Sequence, residues 1–542
     1  MASAFGSARS RRLGVAVGIA AASALVLAGC AGGGTSGSGG GSSLIVGTTD
    51  KVTFLDPAGS YDNGSFAVMN QVFPFLMNSK VGSGTVEPDI ASSAKFTSDT
   101  EYTVTLKPGL TFANGNKLTS SDVKFTFERQ LKINDPNGPA SLLGNLDSVD
   151  APDARTVVFR LKKGGDQTFP QVLSSPAGPI VDEQVFSADK ITQDAAIVKG
   201  KAFAGPFSIG SYKKNNLVTL SAFSGYDGLL GKPKTGDITL KYFTSSSNLK
   251  LEVQGGGIDV AYRSLTPTDI ADLKTKKSVK VVDGPGGEIR YIVFNFDTQP
   301  YGAKTEGADP AKALAVRQAV ADLVDRAAIA KQVYKNTYTP LYSYVPQGVR
   351  GATEVLKSEY GDGSGGPSLD KAKAVLQAAG VSTPVTLKLQ YNPDHYGEGS
   401  ADEYALVKSQ LEDGGLFAVD LASTEWVQYS KDRVKDVYPA YQLGWFPDYS
   451  DADNYLTPFF AEGNFLGNRY SDPVVTQLIQ QQQVEGDPAK RQQDIEDIQA
   501  AVAKQLSTVP LLQGAQVAVV GKDVSGMTLD PSFKLRLTSL SK

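Results

Sequence analysis

The chain has 542 residues, with 53 lysines and arginines against 57 aspartates and glutamates, a formal net charge of −4, one cysteine and one histidine. That length exceeds what one hydrophobic core serves, so two or more domains are expected. The acidic balance disfavours nucleic acid as a partner, a lone cysteine excludes an internal disulfide or a Cys-rich zinc site, and a lone histidine excludes multi-histidine metal centres.

At the N-terminus, Arg9, Arg11 and Arg12 precede an apolar run from Leu13 to Leu27. The run is too short to span a bilayer, which takes about 20 residues, but suits a secretory signal. Leu27-Ala28-Gly29-Cys30 resembles the lipobox of bacterial lipoproteins. The resemblance implies a signal peptide over 1–29, cleavage before Cys30 and a lipid on its sulfur. Residues 31–43 are almost all Gly, Ser and Thr, a flexible tether with a reach of about 20 Å.

The body follows. Glu101–Leu106 alternates with period two and predicts a strand, closed by a turn at Lys107-Pro108-Gly109. Asn114-Gly115 reads as a turn, and Asp122-Val123-Phe125-Phe127 as the packed start of a helix. Arg155–Leu161 and Leu217–Phe223 read as strands. Asp309-Pro310 opens a helix carrying Val316, Val320, Leu323, Val324 and Ala327 on one face. Asp325-Arg326 in that stretch is expected to be a surface or interlobe ion pair. Gly361–Pro367 reads as a loop. A helix over Ser368–Ala379 stops at Gly380, and another covers Pro473–Glu485, with Gln480–Gln483 as a solvated face. No fixed-period repeat occurs. Strands and helices mixed without strict alternation give an α/β, mixed α+β, body.

Enzyme motifs are missing. A serine triad would have to use His395, and neither a GxSxG elbow nor a Walker A sequence is present. Gly361-Asp362-Gly363-Ser364-Gly365-Gly366 matches GxGxxG formally, but no strand precedes it, so the dinucleotide reading fails its context. Nothing aligns two carboxylates for glycosidase chemistry.

Four stretches in order resemble the bacterial extracellular solute-binding proteins of family 5, the peptide receptors of ABC importers. They are TTDKVTFLDPAGSYDNGSFAVMNQVFPFL, EPDIASSAKFTSDTEYTVTLKPGLTFANGNKLTSSDVKFTFER, YIVFNFDTQPYG with VRQAVADLVDRAAIAKQVY, and STEWVQYSKDRVKDVYPAYQLGWFPDYSDADNYLTPFF. The resemblance implies a periplasmic-binding-protein-like fold of two lobes joined by a hinge. Lobe I would comprise 44–75, 205–291 and 509–542, with an inserted domain over 76–204 and lobe II over 292–508. It implies no enzymatic activity, no cofactor and no metal. It also implies a monomer that captures a peptide ligand, a permease partner, and a place on the extracytoplasmic face of the cell membrane, held by the Cys30 lipid.

By the same resemblance Asp448, in Gly444-Trp445-Phe446-Pro447-Asp448, pairs with the ligand α-amine. Backbone at Gly444 and Phe446 lies along the peptide, and Trp445 and Trp426 line side-chain pockets. Asn63, Gly64 and Ser65 are further candidates for ligand contact. The carboxylate end departs from the pattern. Gln442 stands where some oligopeptide receptors carry arginine, and Tyr391-Asn392-Pro393 is followed by Asp394 and His395 with no arginine. Arg433 and His395 remain as candidates. Rival readings keep the transport role for an oligosaccharide, metal complex or haem, or make the chain a surface hydrolase or a peptide-sensing lipoprotein.

Overall fold

The computed structural model describes residues 43–542 apart from Ser264, Asp394 and Glu398, together with the backbone alone of Val427. The signal segment, Cys30 and nearly all of the tether lie outside the described residues.

Two large sheets organise the body. The first has seven strands in the order Val279–Gly284, Gln516–Gly521, Val260–Tyr262, Leu44–Thr48, Asp237–Tyr242, Leu217–Ala222, Phe207–Lys213. The second has six, in the order Tyr338–Pro340, Thr508–Gly514, Ile289–Phe294, Ala440–Trp445, Val385–Tyr391, Phe417–Ser423. Ile289–Phe294 and Thr508–Gly514 are buried along their whole length. Neighbouring strands flank both on each edge, so even Arg290, Thr508 and Gln513 within them are buried. A third, antiparallel sheet orders Ala91–Ser98, Glu101–Leu106, Thr156–Leu161, Leu146–Asp150. In it Tyr102, Val104 and Leu106 enter a separate core, as the alternation predicts.

The chain passes between the two large sheets twice, at 285–288 and at Ala515. The passages touch: a Cβ on Gly286 would fall 1.2 Å from the Gly514 carbonyl oxygen, so only glycine fits there. Gln513 Nε2 donates to Gly286 O at 2.7 Å, and Gly514 N to Glu288 O at 2.9 Å. The expected boundaries at 291/292 and 508/509 therefore cut through strands of the second sheet. The break lies earlier, in Gly284-Pro285-Gly286-Gly287, where the apolar run has not yet begun.

Local signals explain most helices. Thr119 and Asp122 form a capping box on Ser120–Ile133. Asp309 accepts from Ala311 N and Lys312 N and opens Pro310–Leu323. That helix does not run on to Ala327. Val324 turns extended, and the Asp325 carboxylate accepts from Ala328 N at 2.8 Å to cap a new helix, Arg326–Gln332. Asp325-Arg326 is thus no surface ion pair. Arg326 is buried and donates to Pro510 O at 2.8 Å, and burial lowers its pKa to about 10. Ser368 caps Leu369–Ala378, with Gly380 beyond it at φ +67°.

The glutamine run is a solvated face only in part: Gln480 and Gln481 are exposed, but the next two turn inward. Gln482 is fully buried and donates to Asp453, as does Gln483 at 3.1 Å. The end of Ala440–Trp445 and this helix both border one concave region.

Candidate functional site

A cleft of about 1570 Å³ opens where residues of the two large sheets and the third sheet's domain meet. Its centre is the end of Ala440–Trp445. A Cβ on Gly444 would meet Tyr396 Cε1 at 2.8 Å and Ile289 O at 2.9 Å, so the strand and the tyrosine close on each other only across a glycine. Tyr396 Oη donates to Gly444 O at 3.1 Å. Phe446 makes no backbone hydrogen bond to another described residue. Its main chain is thus open to an extended partner.

Asp448 follows the strand and is fixed from the helix Asp453–Phe460. Asn454 Nδ2 donates to Asp448 Oδ2 at 3.0 Å, and Asn454 Oδ1 accepts from Asp448 N and Trp445 Nε1, both at 2.9 Å. Tyr61, across the cleft, donates its hydroxyl to Asp448 Oδ1. Asp448 is 7% exposed, and burial raises its pKa to about 6 against the opposing pull of Asn454 and Tyr61. No cation among the described residues pairs with it. A desolvated carboxylate held by neutral donors can pair with a cation that arrives from outside.

Most of the expected site residues line this cleft: Asp448, Trp445, Gly444, Phe446, Trp426, His395, Asn63 and Gly64. The Trp445 ring packs edge-on against Phe459 and Phe465. His395 stacks on Trp426 with centroids 3.8 Å apart. Gly64 is obligatory, since a Cβ would meet Lys51 O at 2.1 Å.

Two expected residues do not reach the cleft. Ser65 is buried; its hydroxyl donates to Asp62 Oδ2 at 2.9 Å and accepts from Thr53 N at 2.8 Å. It belongs to the cap of the helix Asn63–Val72. Arg433 is buried behind Phe465, whose ring it faces at 4.5 Å, and its Nη1 donates to the carbonyls of Phe465 and Leu466. It supports the cleft wall and cannot receive a ligand carboxylate. Gln442 is also buried, bonded to Asn392 and Ser400.

The sequence reading missed Tyr61, Asn454, Arg263 and Phe533, all in the cleft lining. Only Asn454 had a local signal, six residues after Asp448. It also missed the buried floor, where Arg290 donates to Glu288, Glu403, Tyr334 and Tyr338 and to the Tyr396 carbonyl. Burial raises the Glu403 pKa there.

Comparison with known proteins decides the family. The model of "Bacterial extracellular solute-binding proteins, family 5 Middle" matches residues 85–467. The chain belongs to this family. Its members are solute-binding proteins and not enzymes. The probable D,D-dipeptide-binding periplasmic protein of Escherichia coli K12 is 26% identical over 516 residues, covering 92% of this chain and 94% of that protein. The heme-binding protein A of Haemophilus influenzae is 24% identical over 506 residues, covering 86% of each. Among solved structures, the periplasmic binding protein DppA from Helicobacter pylori, in complex with the peptide STSA, superposes with a TM-score of 0.74. It is 18% identical and covers 92% of this chain and 98% of its own. HbpA2 from Haemophilus parasuis gives 0.77 at 21% identity, over 92% and 99%. These superpositions establish the periplasmic-binding-protein fold of this family 5 chain. Among the described residues no helix is long and apolar enough to cross a membrane, and no group of His, Cys, Asp or Glu could hold a metal ion.

Proposed function

We propose that this family 5 protein is the substrate-binding subunit of an ABC importer. It captures peptides, oligopeptides foremost, in its cleft and delivers them to a permease as a monomer on the extracytoplasmic face, held there by a lipid on Cys30. The observation that carries the reading is Asp448, a buried carboxylate with neutral donors and no cation, at the end of a strand whose main chain opens to the cleft. A peptide supplies what both features lack, an ammonium group and main-chain donors and acceptors. Names among the relatives point the same way, since both a D,D-dipeptide-binding and a dipeptide-binding protein of Escherichia coli align over about nine-tenths of the chain.

The cleft volume favours oligopeptides. Pockets for small ligands run to about 300–1,000 Å³, and this one is about 1570 Å³. The surplus accommodates variable side chains with water around them. The passages at 285–288 and Ala515 serve as the hinge, and closure brings Tyr61 of the first lobe onto Asp448 of the second.

The test is direct. Native mass spectrometry of the purified protein should reveal a bound peptide mixture, and calorimetry should show tetra-alanine binding intact and N-acetyl tetra-alanine binding about 30-fold or more weaker. Equal binding of the two removes the amine anchor. A co-purified sugar or haem replaces the peptide reading outright, and peptide cleavage makes the protein a hydrolase.

A further inference from the structure

The bodies built on the two large sheets carry opposite formal charge. Residues 289–514, which hold the second sheet, have 20 lysines and arginines against 29 aspartates and glutamates. Residues 44–75, 205–288 and 515–542, which hold the first, have 16 against 13.

Strand register gathers exposed cations at one end of the first sheet. Leu44 pairs with Ile238, Val46 with Val260, Val260 with Val520 and Gly521 with Val279. The starts of Leu44–Thr48, Asp237–Tyr242, Val260–Tyr262 and Val279–Gly284 therefore share one end with the finish of Gln516–Gly521. Lys232 and Lys234 come just before Asp237, Lys277 just before Val279, and Lys522 just after Gly521. All four are exposed, and none forms an ion pair with a described residue. Backbone bonds seat two of them, Lys522 N to Ser278 O at 3.2 Å and Lys234 N to Thr538 O at 3.0 Å. The acids beside them are largely engaged. Asp259 accepts from Ile45 N at 2.8 Å and pairs with Lys542 at 2.6 Å, and Asp237 accepts from Ser221 Oγ at 2.8 Å. Asp523 is exposed next to Lys522.

The chain enters the body at this same end. Leu44 starts the first strand, and 13 residues, 31–43, separate it from Cys30. Their composition gives a reach of about 20 Å. The cleft is at the opposite end of the sheet, since its lining takes Asp50 and Lys51 just past Thr48 and Arg263 just past Tyr262.

We propose that the lysine-bearing end of the first sheet docks on the anionic lipid surface that receives the Cys30 lipid. This rests on the Cys30 anchor of the reading above. The tether is short enough to bring the lysines to phosphate headgroups, where each favours the docked state by roughly fivefold. The same surface repels the net negative body of the second sheet. Docking thus turns the cleft away from the lipid, and the contact, being electrostatic, is reversible.

The experiment is lysine footprinting of the lipidated protein in vesicles of phosphatidylcholine alone, or of phosphatidylcholine and phosphatidylglycerol in equal parts. Acetylation by an N-hydroxysuccinimide ester is followed by mass spectrometry. Lys232, Lys234, Lys277 and Lys522 should react about threefold or more slowly on the anionic vesicles, the effect of a face docked at least about two-thirds of the time. Salt at about 0.5 M should abolish the difference. Lys373, Lys388 and Lys490, exposed on the second body, should react alike on both vesicles. In the triple variant Lys232→Glu, Lys277→Glu, Lys522→Glu, Lys234 should react at its neutral-vesicle rate on both, with tetra-alanine affinity unchanged. Equal reactivity of the four lysines on the two vesicles refutes the docking, as does protection of Lys234 that survives the triple variant. Protection on native membranes but not on anionic vesicles gives the face to a protein partner and equally refutes it. If the protein floats with neither vesicle, the Cys30 anchor falls and this proposal with it. Flotation with equal reactivity removes the docking alone.

Discussion

Replacing Asp448 with asparagine should flatten the pH dependence of ligand affinity. In the empty protein burial raises the Asp448 pKa from 3.8 to about 6. Each pKa unit is worth about 1.36 kcal/mol, so keeping this carboxylate ionised at neutral pH costs the empty fold about 3 kcal/mol. Because the folded pKa lies above the unfolded one, that cost is fully present above about pH 6 and is relieved as the pH falls from 6 towards 3.8. A bound ammonium reverses the balance by stabilising the ionised form. Below pH 6 binding must therefore expel a proton, and affinity should drop about tenfold per unit. Above about pH 8 the peptide amine loses its own proton, and affinity should fall again. Calorimetry with tetra-alanine between pH 4.5 and 9 should thus give a bell for wild type. Asp448→Asn should lose the acid limb and bind about 30-fold or more weakly at pH 7. The variant should still fold. It escapes the cost of about 3 kcal/mol, and its Oδ1 can keep the bond from Asn454 Nδ2 while its N–H₂ turns to the Tyr61 hydroxyl, which then accepts. Asp453, also in the cleft lining with a pKa raised to about 6 by burial, supplies the control. It is bonded to Thr457, Gln482 and Gln483, and Asp453→Asn should keep the acid limb. A flat wild-type profile from pH 7 to 5, or an acid limb that survives Asp448→Asn, refutes the reasoning.

Gly444→Ala should destabilise the fold by about 1–3 kcal/mol, because the added methyl group meets Tyr396 and the Ile289 carbonyl at under 3 Å; an unchanged melting temperature would show that the strand and Tyr396 move apart freely. Arg290→Met leaves Glu403 and Glu288 without their cation beneath the cleft and should cost about 3–5 kcal/mol in denaturant unfolding, with a loss under 1 kcal/mol counting against a coupled network. Cys30→Ser should move the chain from the membrane to the soluble fraction of cells; retention on the membrane with normal signal processing contradicts the lipid anchor.

Much of the fold was legible because its signals are local. The alternation in Glu101–Leu106, the Asp309-Pro310 start and the glycine after Ala379 each act over a few residues, and the structure obeys all three. Local signals fail where apolar periodicity competes with capping chemistry. Apolar spacing continues from Val316 to Ala327, but Asp325 offers its side chain to Ala328 N, and a cap ends one helix and starts another. Composition misled in the glutamine run. Gln482 and Gln483 look solvated until Asp453, from another helix, is placed against them.

The site divides along the same line. Asp448 was singled out by its match to a contiguous family motif, and it lines the cleft because strand, turn and the helix that carries Asn454 follow one another closely in sequence. The opposite wall of the cleft was not legible, because its lining depends on how the two large sheets meet. Arg433 has the right charge and stands near the motif in sequence, yet the short turn Arg433–Lys435 aims it at the Phe465 loop from behind. Arg263 shares no local pattern with Gly444-Trp445-Phe446-Pro447-Asp448, and only tertiary packing lays it against Phe446. The cleft lining is drawn from both large sheets, with Asp448 on one side and the Arg263–Asp50 ion pair on the other. The half carried by a contiguous motif can be read from the chain, and its complement emerges only when the lobes are set face to face.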